Sequence, residues 1–183
     1  DLAGFCVGVV EKNKLLPKKN INNGDIVLGL PSSGLHSNGY SLIRKIMSEK
    51  NISYNKVFLN KKTYGAEFLK PTKIYVTPLL QILSKCNVKA LAHITGGGVI
   101  ENIKRVFPRN KGILFDNTMF DFNKNNNVFH WLKNQCNISE KELLKTFNCG
   151  IGMMLVSSKK ESENVISICQ KLKQPVKVIG KVT

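Results

Sequence analysis

The sequence predicts an α/β (α+β) domain, in which strands alternate along the chain with helices. Short apolar segments bounded by Gly, Pro, Asn or Ser are typical of strands, and segments with apolar residues at helical spacing lie between them. A strand followed by a glycine loop and a helix occurs twice, around residues 26–47 and 88–106. A chain of 183 residues is long enough for one domain with its own core.

The predicted strands are short apolar segments that begin or end at turn residues. They cover residues 26–30, 88–94, 112–115, 152–156 and 176–182, with further strands expected at 5–10 and 57–59. The predicted helices carry apolar residues on one face. They cover residues 42–47, 64–69, 76–83, 99–106, 128–132, 139–147 and 158–172. Capping boxes, Ser139 with Glu142 and Ser158 with Glu161, open two of these helices, while the direction of strand pairing stays open.

The charge of the chain raises the question of a nucleic-acid partner. The net charge is +16 and the pI is about 9.8. Almost all of the 28 basic residues are lysines, scattered rather than arranged in a stripe, and asparagine is abundant as well. We interpret this as a compositional bias and predict no nucleic-acid partner. A positive field would still attract anionic substrates.

Hydropathy and cysteine content indicate where the protein works. No apolar run approaches the ~20 residues that a membrane helix needs, so we expect no membrane partner. The five cysteines form no C-x-x-C pair and no zinc-binding spacing with the histidines. We therefore predict free thiols in a reducing, cytoplasmic environment and no metal ligands in this chain.

The stretch 24–44, GDIVLGLPSSGLHSNGYSLIR, combines a buried strand, a small and polar loop, and a helix. The first N–H groups of a helix have no intrahelical partner, and the helix dipole favours negative charge there. The loop adds hydroxyl donors, glycines and a histidine whose ordinary pKa lies near neutrality, able to bind a phosphate or donate a proton to it. Its candidate residues are Ser32, Ser33, Gly34, His36, Ser37, Asn38 and Gly39. The residues alone fit either a plain turn or an oxyanion site, because neither the Walker nor the dinucleotide pattern matches.

Two further glycine-rich stretches are candidates for ligand contact. In HITGGG at 93–98, close approach of a ligand or of another backbone segment would explain three consecutive glycines, since each loses conformational entropy on folding. Its candidate residues are His93, Thr95, Gly96, Gly97 and Gly98. His93 fits a core histidine equally well. In FNCGIGM at 147–153, Asn148 could reach a ligand, while packing explains the cysteine and the methionine.

These stretches resemble the phosphoribosylformylglycinamidine cyclo-ligases, the aminoimidazole ribonucleotide synthetase family of purine biosynthesis. The resemblance is carried first by PSSGLHSNGYSLIRK, which begins at Pro31. Three other stretches agree with it in order: DLAGFCVGVVEK at 1–12, HITGGGVIENIKRVFP at 93–108 and FNCGIGM at 147–153. LKPTKIYV at 69–76 is similar as well, so the resemblance covers essentially the whole chain.

The resemblance implies a mixed β-sheet flanked by helices for residues 13–183, as the C-terminal domain of that family. It implies that residues 1–12 are the last strand of a missing N-terminal domain, and we expect this segment to extend from the domain and pair with another copy. The family's glycine–threonine–lysine nucleotide loop and metal-binding aspartates belong to that N-terminal half. ATP and Mg are therefore expected as cofactors bound mostly outside this chain, and the full-length enzyme is expected to be a homodimer.

The activity that the resemblance implies is ATP-dependent closure of the imidazole ring of formylglycinamidine ribonucleotide, giving aminoimidazole ribonucleotide. In that reaction, phosphorylation of the formamide oxygen makes it a leaving group, and an amidine nitrogen then attacks the same carbon. The resemblance implies a catalytic role for His36 and contact of both glycine loops and Asn148 with the small phosphoribosyl substrate. This chain alone is expected to be inactive.

Two alternatives stay open. The first is a sister enzyme of the same architecture: formylglycinamidine ribonucleotide synthetase, selenophosphate synthetase, thiamine-phosphate kinase or a hydrogenase maturation factor. The second is a non-catalytic phosphate-binding or assembly module. An upstream nucleotide loop with aspartates would favour an enzyme over the module.

Overall fold

A five-stranded antiparallel sheet forms the centre of the computed structural model, which describes residues 3–136 and 138–183. The strands are β1 (Ile26–Pro31), β2 (Val88–His93), β3 (Ile113–Phe115), β4 (Ile151–Ser157) and β5 (Lys177–Val182). Their order in the sheet is β2-β4-β1-β5-β3. The predicted α/β (α+β) class, with helices flanking a sheet, is confirmed. The resemblance implied a mixed sheet, but every pairing is antiparallel. Strands β1 and β2 both run antiparallel to β4, and strands β1 and β3 both run antiparallel to β5.

Each of the four connections between consecutive strands contains at least one helix. The helices are α1 (Tyr40–Glu49), α2 (Tyr64–Phe68), α3 (Val76–Leu83), α4 (Gly98–Lys104), α5 (Val128–Cys136), α6 (Glu140–Thr146) and α7 (Lys159–Lys171). Three single 3₁₀ turns lie at Lys12–Lys14, Asn117–Met119 and Asp121–Asn123. The two predicted helix starts are confirmed, because the Ser139 hydroxyl accepts a hydrogen bond from the N–H of Glu142 and the Ser158 hydroxyl from that of Glu161. No described helix has the length and hydropathy to cross a bilayer.

The sheet is buried on both faces, which explains why its central strands are nearly continuous apolar runs. All seven residues of β4 are buried. Successive side chains of a strand point to opposite faces, so Met154 and Val156 pack into a core with α1, α2, α4, α5 and α6. Leu155 packs with Leu28 into a second core against α3 and α7. The sheet therefore holds the ends of its strands in fixed positions between two helical layers.

The N-terminal segment lies outside this sheet. Residues 3–11 contain no helix or strand, and their apolar side chains are exposed, as Phe5 is at 95%. The strand predicted at 5–10 therefore does not form in this chain, because no described strand pairs with it. Asp1 and Leu2, which begin the predicted 1–12 segment, lie outside the described residues. The short strand expected at 57–59 is reduced to a single bridge between Val57 and Thr63.

Candidate functional site

The three candidate stretches meet at one edge of the sheet. We name them the β1 loop (32–39), the glycine loop (94–98) and the β4 entry (147–150). Strand β4 lies between β1 and β2 and runs against both, so the ends of β1 and β2 meet the beginning of β4. Pro31, the last residue of β1, pairs with Ile151, the first residue of β4. The topology thus brings together residues that are far apart in the sequence.

Left-handed backbone shapes the β1 loop. His36 and Ser37 have φ angles of 54° and 58°, and Gly39, which precedes α1, has a φ of 75°. An added Cβ at Gly39 would lie 2.0 Å from the ring of Phe147, so this glycine is also required by packing. The Asn38 side chain donates to the carbonyl of His36 at 2.6 Å and holds the turn. The loop is therefore a constrained turn in which the His36 side chain is turned inward.

The hydrogen bonds of His36 fix the position of its proton. The ring is only 4% exposed, and its Nε2 accepts from the backbone N–H groups of Ser33 at 3.0 Å and Lys73 at 3.3 Å. The Ser33 hydroxyl lies 3.0 Å from the same nitrogen, but it donates to the carbonyl of Pro71 at 2.6 Å. Because a backbone N–H can only donate, Nε2 carries no proton, and the neutral ring is protonated at Nδ1. Among the described residues, this buried Nδ1 has no hydrogen-bond partner.

The environment of His36 keeps the ring neutral. Burial, followed by the neighbouring His93 and Lys73, lowers the pKa of His36 from 6.5 to about 4. Sequence reasoning used the ordinary pKa of histidine, near neutrality, and the pKa of His36 is lower because the ring is desolvated instead of lying in an open loop. At pH 7, His36 is therefore a neutral donor with an unused N–H group. That is the arrangement that binds an oxygen atom, and a buried donor without a partner costs about 1–3 kcal/mol until one is present.

Three rings surround this site. The His36 ring lies 6.2 Å from Tyr75 and 6.4 Å from His93, and the Tyr75 and His93 rings are 6.0 Å apart, between centroids. Tyr75 is buried, its hydroxyl donates to the carbonyl of Pro31 at 2.9 Å, and burial raises its pKa above the ordinary value. His93 is exposed, so it is not a core histidine but a residue at the rim of the site.

Gly152 provides the space for two of these rings. An added Cβ would lie 2.0 Å from the Tyr75 hydroxyl and 2.6 Å from Cε1 of His36. This explains the second glycine of FNCGIGM as a close-packing position. Sequence reasoning missed Tyr75 and Lys73 as neighbours of the site, although the motif LKPTKIYV, which contains both, was one of its signals.

The glycine loop is held together by one buried side chain, Asn102 of α4. Its amide donates to the carbonyls of Thr95, Gly96 and Gly98 at 3.3, 3.1 and 2.8 Å. Its Oδ1 lies 3.2 Å from the hydroxyl of Thr95. Sequence reasoning missed Asn102, whose signal is a polar residue on the otherwise apolar face of α4. The polar groups of this loop are therefore largely bonded within the loop.

Two glycines of this loop have left-handed backbone, and one of them, Gly98, is also required by packing. Gly97 and Gly98 have φ angles of 89° and 61°. A Cβ at Gly98 would lie 2.4 Å from the carbonyl oxygen of Leu144, so α4 and α6 approach each other here backbone to backbone. Gly96 is exposed and open, with only the side-chain oxygen of Asn38 near the position of an added Cβ, at 3.6 Å. Gly96 is thus the one glycine of the three that faces the β1 loop.

Asn148 joins the β1 loop to the β4 entry. It is 1% exposed, its Oδ1 accepts from the Ser32 hydroxyl and from the N–H of Gly150, and its amide donates to the carbonyl of Gly34. These three distances are 2.9, 2.9 and 2.8 Å. The side chain that the sequence offered as a ligand contact is therefore occupied with positioning the loop. The N–H of Ser32 also donates to the carbonyl of Gly150, at 2.9 Å.

Lysines dominate the charge beside the β1 loop. Lys70 forms an ion pair with the buried Glu67. Lys73 is partly buried, and desolvation lowers its pKa. Its ammonium group lies 5.7 Å from the centroid of the Tyr75 ring. Within 3–136 and 138–183, no three His, Cys, Asp or Glu side chains are grouped as metal ligands.

Fold and site together define an antiparallel α+β domain in which a loop at the edge of the sheet holds a buried histidine N–H that has no partner among the described residues. Comparison with known families identifies it further. Residues 22–183 match the family described as "AIR synthase related protein, C-terminal domain", and the chain belongs to this family. The resemblance inferred from its motifs is confirmed.

The curated relatives are ligases and related enzymes of purine biosynthesis. The phosphoribosylformylglycinamidine cyclo-ligase of Chromobacterium violaceum is 43% identical over 182 residues, which cover 100% of this chain and 52% of the relative. The enzyme of the same name from Neisseria meningitidis serogroup C is 45% identical over 165 residues, covering 90% and 47%. The human trifunctional purine biosynthetic protein adenosine-3 is 44% identical over 186 residues, covering 100% and 18%. The chain thus spans about half the length of the bacterial relatives.

Two solved structures have the same fold. Escherichia coli HypE, a hydrogenase maturation protein, matches with a TM-score of 0.52 and 19% identity, over 90% of this chain and 45% of that one. T. maritima PurL complexed with AMPPCP matches with a TM-score of 0.50 and 15% identity, over 96% and 24%. At these identities the similarity supports the fold alone.

Proposed function

We propose that this chain is the substrate-binding C-terminal domain of an ATP-dependent cyclo-ligase. The enzyme closes the imidazole ring of formylglycinamidine ribonucleotide and releases aminoimidazole ribonucleotide. The names of the relatives, at 43–45% identity, support the reaction. The observation that carries the assignment of the site is the buried Nδ1–H of His36, which has no partner among the described residues. The loop that contains it is held in position by the hydrogen bond from Asn148 to the carbonyl of Gly34.

In this proposal, the β1 loop binds the phosphate of the substrate. His36 donates from Nδ1 to a phosphate oxygen, and this contact satisfies a donor that is otherwise buried without a partner. Because the ring is neutral and Nε2 is bonded to two backbone N–H groups, His36 binds and orients and does not relay a proton. His93 and Gly96 lie at the rim, where they face the rest of the substrate.

ATP is the proposed source of the phosphoryl group that activates the formamide oxygen. We place the nucleotide and Mg²⁺ mostly in the half of the enzyme that this chain does not span, in keeping with its 52% coverage of the Chromobacterium relative. The contribution of this domain is then to hold the substrate by its phosphate, so that the amidine nitrogen stays close to the activated carbon. We further propose that residues 1–12 belong to that other half, that the complete enzyme is a cytoplasmic homodimer, and that the chain alone has no ligase activity.

Titration of formylglycinamidine ribonucleotide into the ¹⁵N-labelled 183-residue chain tests this function. We expect amide shifts in residues 32–39 that saturate, competition by inorganic phosphate, and no imidazole formation when ATP and Mg²⁺ are added. His36→Gln, which lacks the Nδ1 donor, is expected to bind at least about tenfold more weakly. His130→Gln, in α5, serves as the matched control and is expected to bind like the wild type.

Two results would contradict the proposal. Absence of any shift in the β1 loop at millimolar nucleotide would remove the phosphate site. Formation of aminoimidazole ribonucleotide by the pure chain would show that the domain is not merely the substrate-binding part.

A further inference from the structure

A second group beside the β1 loop fits an anion, and it comes from the segment between α2 and α3. The backbone of this segment is tied to the loop, since the N–H of Lys73 donates to Nε2 of His36 and the Ser33 hydroxyl donates to the carbonyl of Pro71. The segment therefore keeps a fixed position relative to the His36 ring. The Lys73 side chain therefore begins next to Nε2 of the His36 ring, the nitrogen that accepts the hydrogen bond from the Lys73 N–H.

The two lysines of this segment, Lys70 and Lys73, differ in whether the ammonium group has a carboxylate partner. The Lys70 ammonium lies 2.5 Å from a carboxylate oxygen of the buried Glu67. Within the described part of the chain, Lys73 forms no ion pair and its ammonium donates no hydrogen bond. A partly desolvated ammonium group without a counter-ion is unfavourable, and a bound anion would relieve this.

The residue bonded to the Lys73 backbone, His36, carries the donor that has no partner among the described residues. The Lys73 ammonium is 5.7 Å from the Tyr75 ring centroid, and that ring is 6.2 Å from the ring of His36. Lys73 is close enough that its charge lowers the pKa of His36. A cation without a counter-ion and a buried N–H without an acceptor thus belong to two residues that are in direct contact through their backbone and ring, within the described part of the chain. An oxyanion is the one ligand class that satisfies both.

We propose that Lys73 is a substrate-binding residue, whose ammonium holds the phosphate monoester that His36 contacts from its Nδ1–H. This inference rests on the proposed function and adds the residue that supplies the positive charge. The β1 loop itself offers hydroxyls, amides and a neutral imidazole, so Lys73 decides whether the site prefers a charged phosphate over a neutral ligand. Lys70 is excluded from this role by its ion pair with Glu67.

Phosphate binding by charge variants of the 183-residue chain tests the inference. Inorganic phosphate and ribose 5-phosphate are titrated separately at constant ionic strength, and the dissociation constant is taken from amide shifts in the β1 loop. Lys73→Gln is expected to weaken both ligands at least about tenfold, the loss of one charge-assisted contact. Lys73→Arg is expected to restore most of the affinity, because the charge is kept. Lys160→Gln, an exposed position of α7, makes the same change of net charge and should bind like the wild type.

The backbone hydrogen bond from residue 73 to His36 survives these substitutions, and unfolding curves check that the variants are folded. Equal affinity of Lys73→Gln and the wild type would overturn the inference and leave the proposed function standing. A loss confined to inorganic phosphate would overturn the assignment to a phosphate monoester. If the wild-type loop does not respond to either ligand, both this inference and the phosphate part of the proposed function fail.

Discussion

The β1 loop and the glycine loop follow the same plan of strand, glycine-containing turn and helix, yet their polar groups are bonded differently. In the glycine loop, Asn102 satisfies three carbonyls and the glycines admit the backbone of α6. In the β1 loop, Asn148 performs a similar bracing role, but one buried donor of His36 has no partner in the part of the chain that the structure describes. The comparison teaches that glycine content marks close packing in both loops, and that an unpaired donor is what distinguishes the loop for which we propose ligand binding.

The largest effect is expected from Gly98→Ala in the glycine loop. An alanine there would have a left-handed backbone and a Cβ 2.4 Å from the Leu144 carbonyl oxygen, so α4 and α6 must separate. We expect a loss of roughly 4 kcal/mol in the free energy of unfolding, measured by urea denaturation. Gly96→Ala is the matched control, since its Cβ meets only a side-chain oxygen at 3.6 Å, and should change stability by less than about 1 kcal/mol. Equal losses in the two variants would show that the packing of α4 on α6 does not require Gly98.

The next effect is a pH dependence of stability that arises in the β1 loop. Because burial first, and the charges of His93 and Lys73 after it, lower the pKa of His36 to about 4, the unfolded chain binds a proton between pH 6.5 and 4 that the folded chain does not. Stability from this source is complete above pH 6.5 and is lost as the pH falls toward 4, by roughly 3 kcal/mol in total. His36→Gln cannot titrate, so its unfolding free energy should fall less steeply across this window. Parallel curves for variant and wild type would contradict a buried neutral His36.

The smallest effect on stability is expected at the two asparagines whose side chains hold the loops, Asn102 and Asn148. Asn102→Ala and Asn148→Ala each leave buried backbone groups without partners, and each is expected to lose about 1–3 kcal/mol in the free energy of unfolding. Phosphate affinity should separate them. Asn148→Ala releases Ser32 and Gly34 and should weaken binding, whereas Asn102→Ala should leave it nearly unchanged. Equal weakening in both variants would mean that the glycine loop also contacts the phosphate.

Much of the fold could be predicted from the sequence. The five strands of the sheet and all seven helices lie at or near their predicted positions, because hydrophobic spacing and capping act between residues close in the sequence. The strands expected at 5–10 and 57–59 are the exceptions, because a strand needs a partner that local pattern does not supply. The antiparallel pairing of β4 with β1 and β2 could not be predicted for the same reason.

By itself, the sequence determined the family, the fold class and the three stretches that meet at the candidate site, since motif order and apolar periodicity are local properties. Only the tertiary structure decided what each residue of the site does. The N–H of Lys73 donates to Nε2 of His36 and so keeps the proton of the ring on Nδ1. Residue 152 must be a glycine because the Tyr75 hydroxyl lies against it. Asn148 positions the β1 loop because its amide donates to the carbonyl of Gly34. Hydrogen-bond partners, burial and pKa are set by groups that the sheet brings together from distant parts of the chain, and no pattern of sequence neighbours contains them.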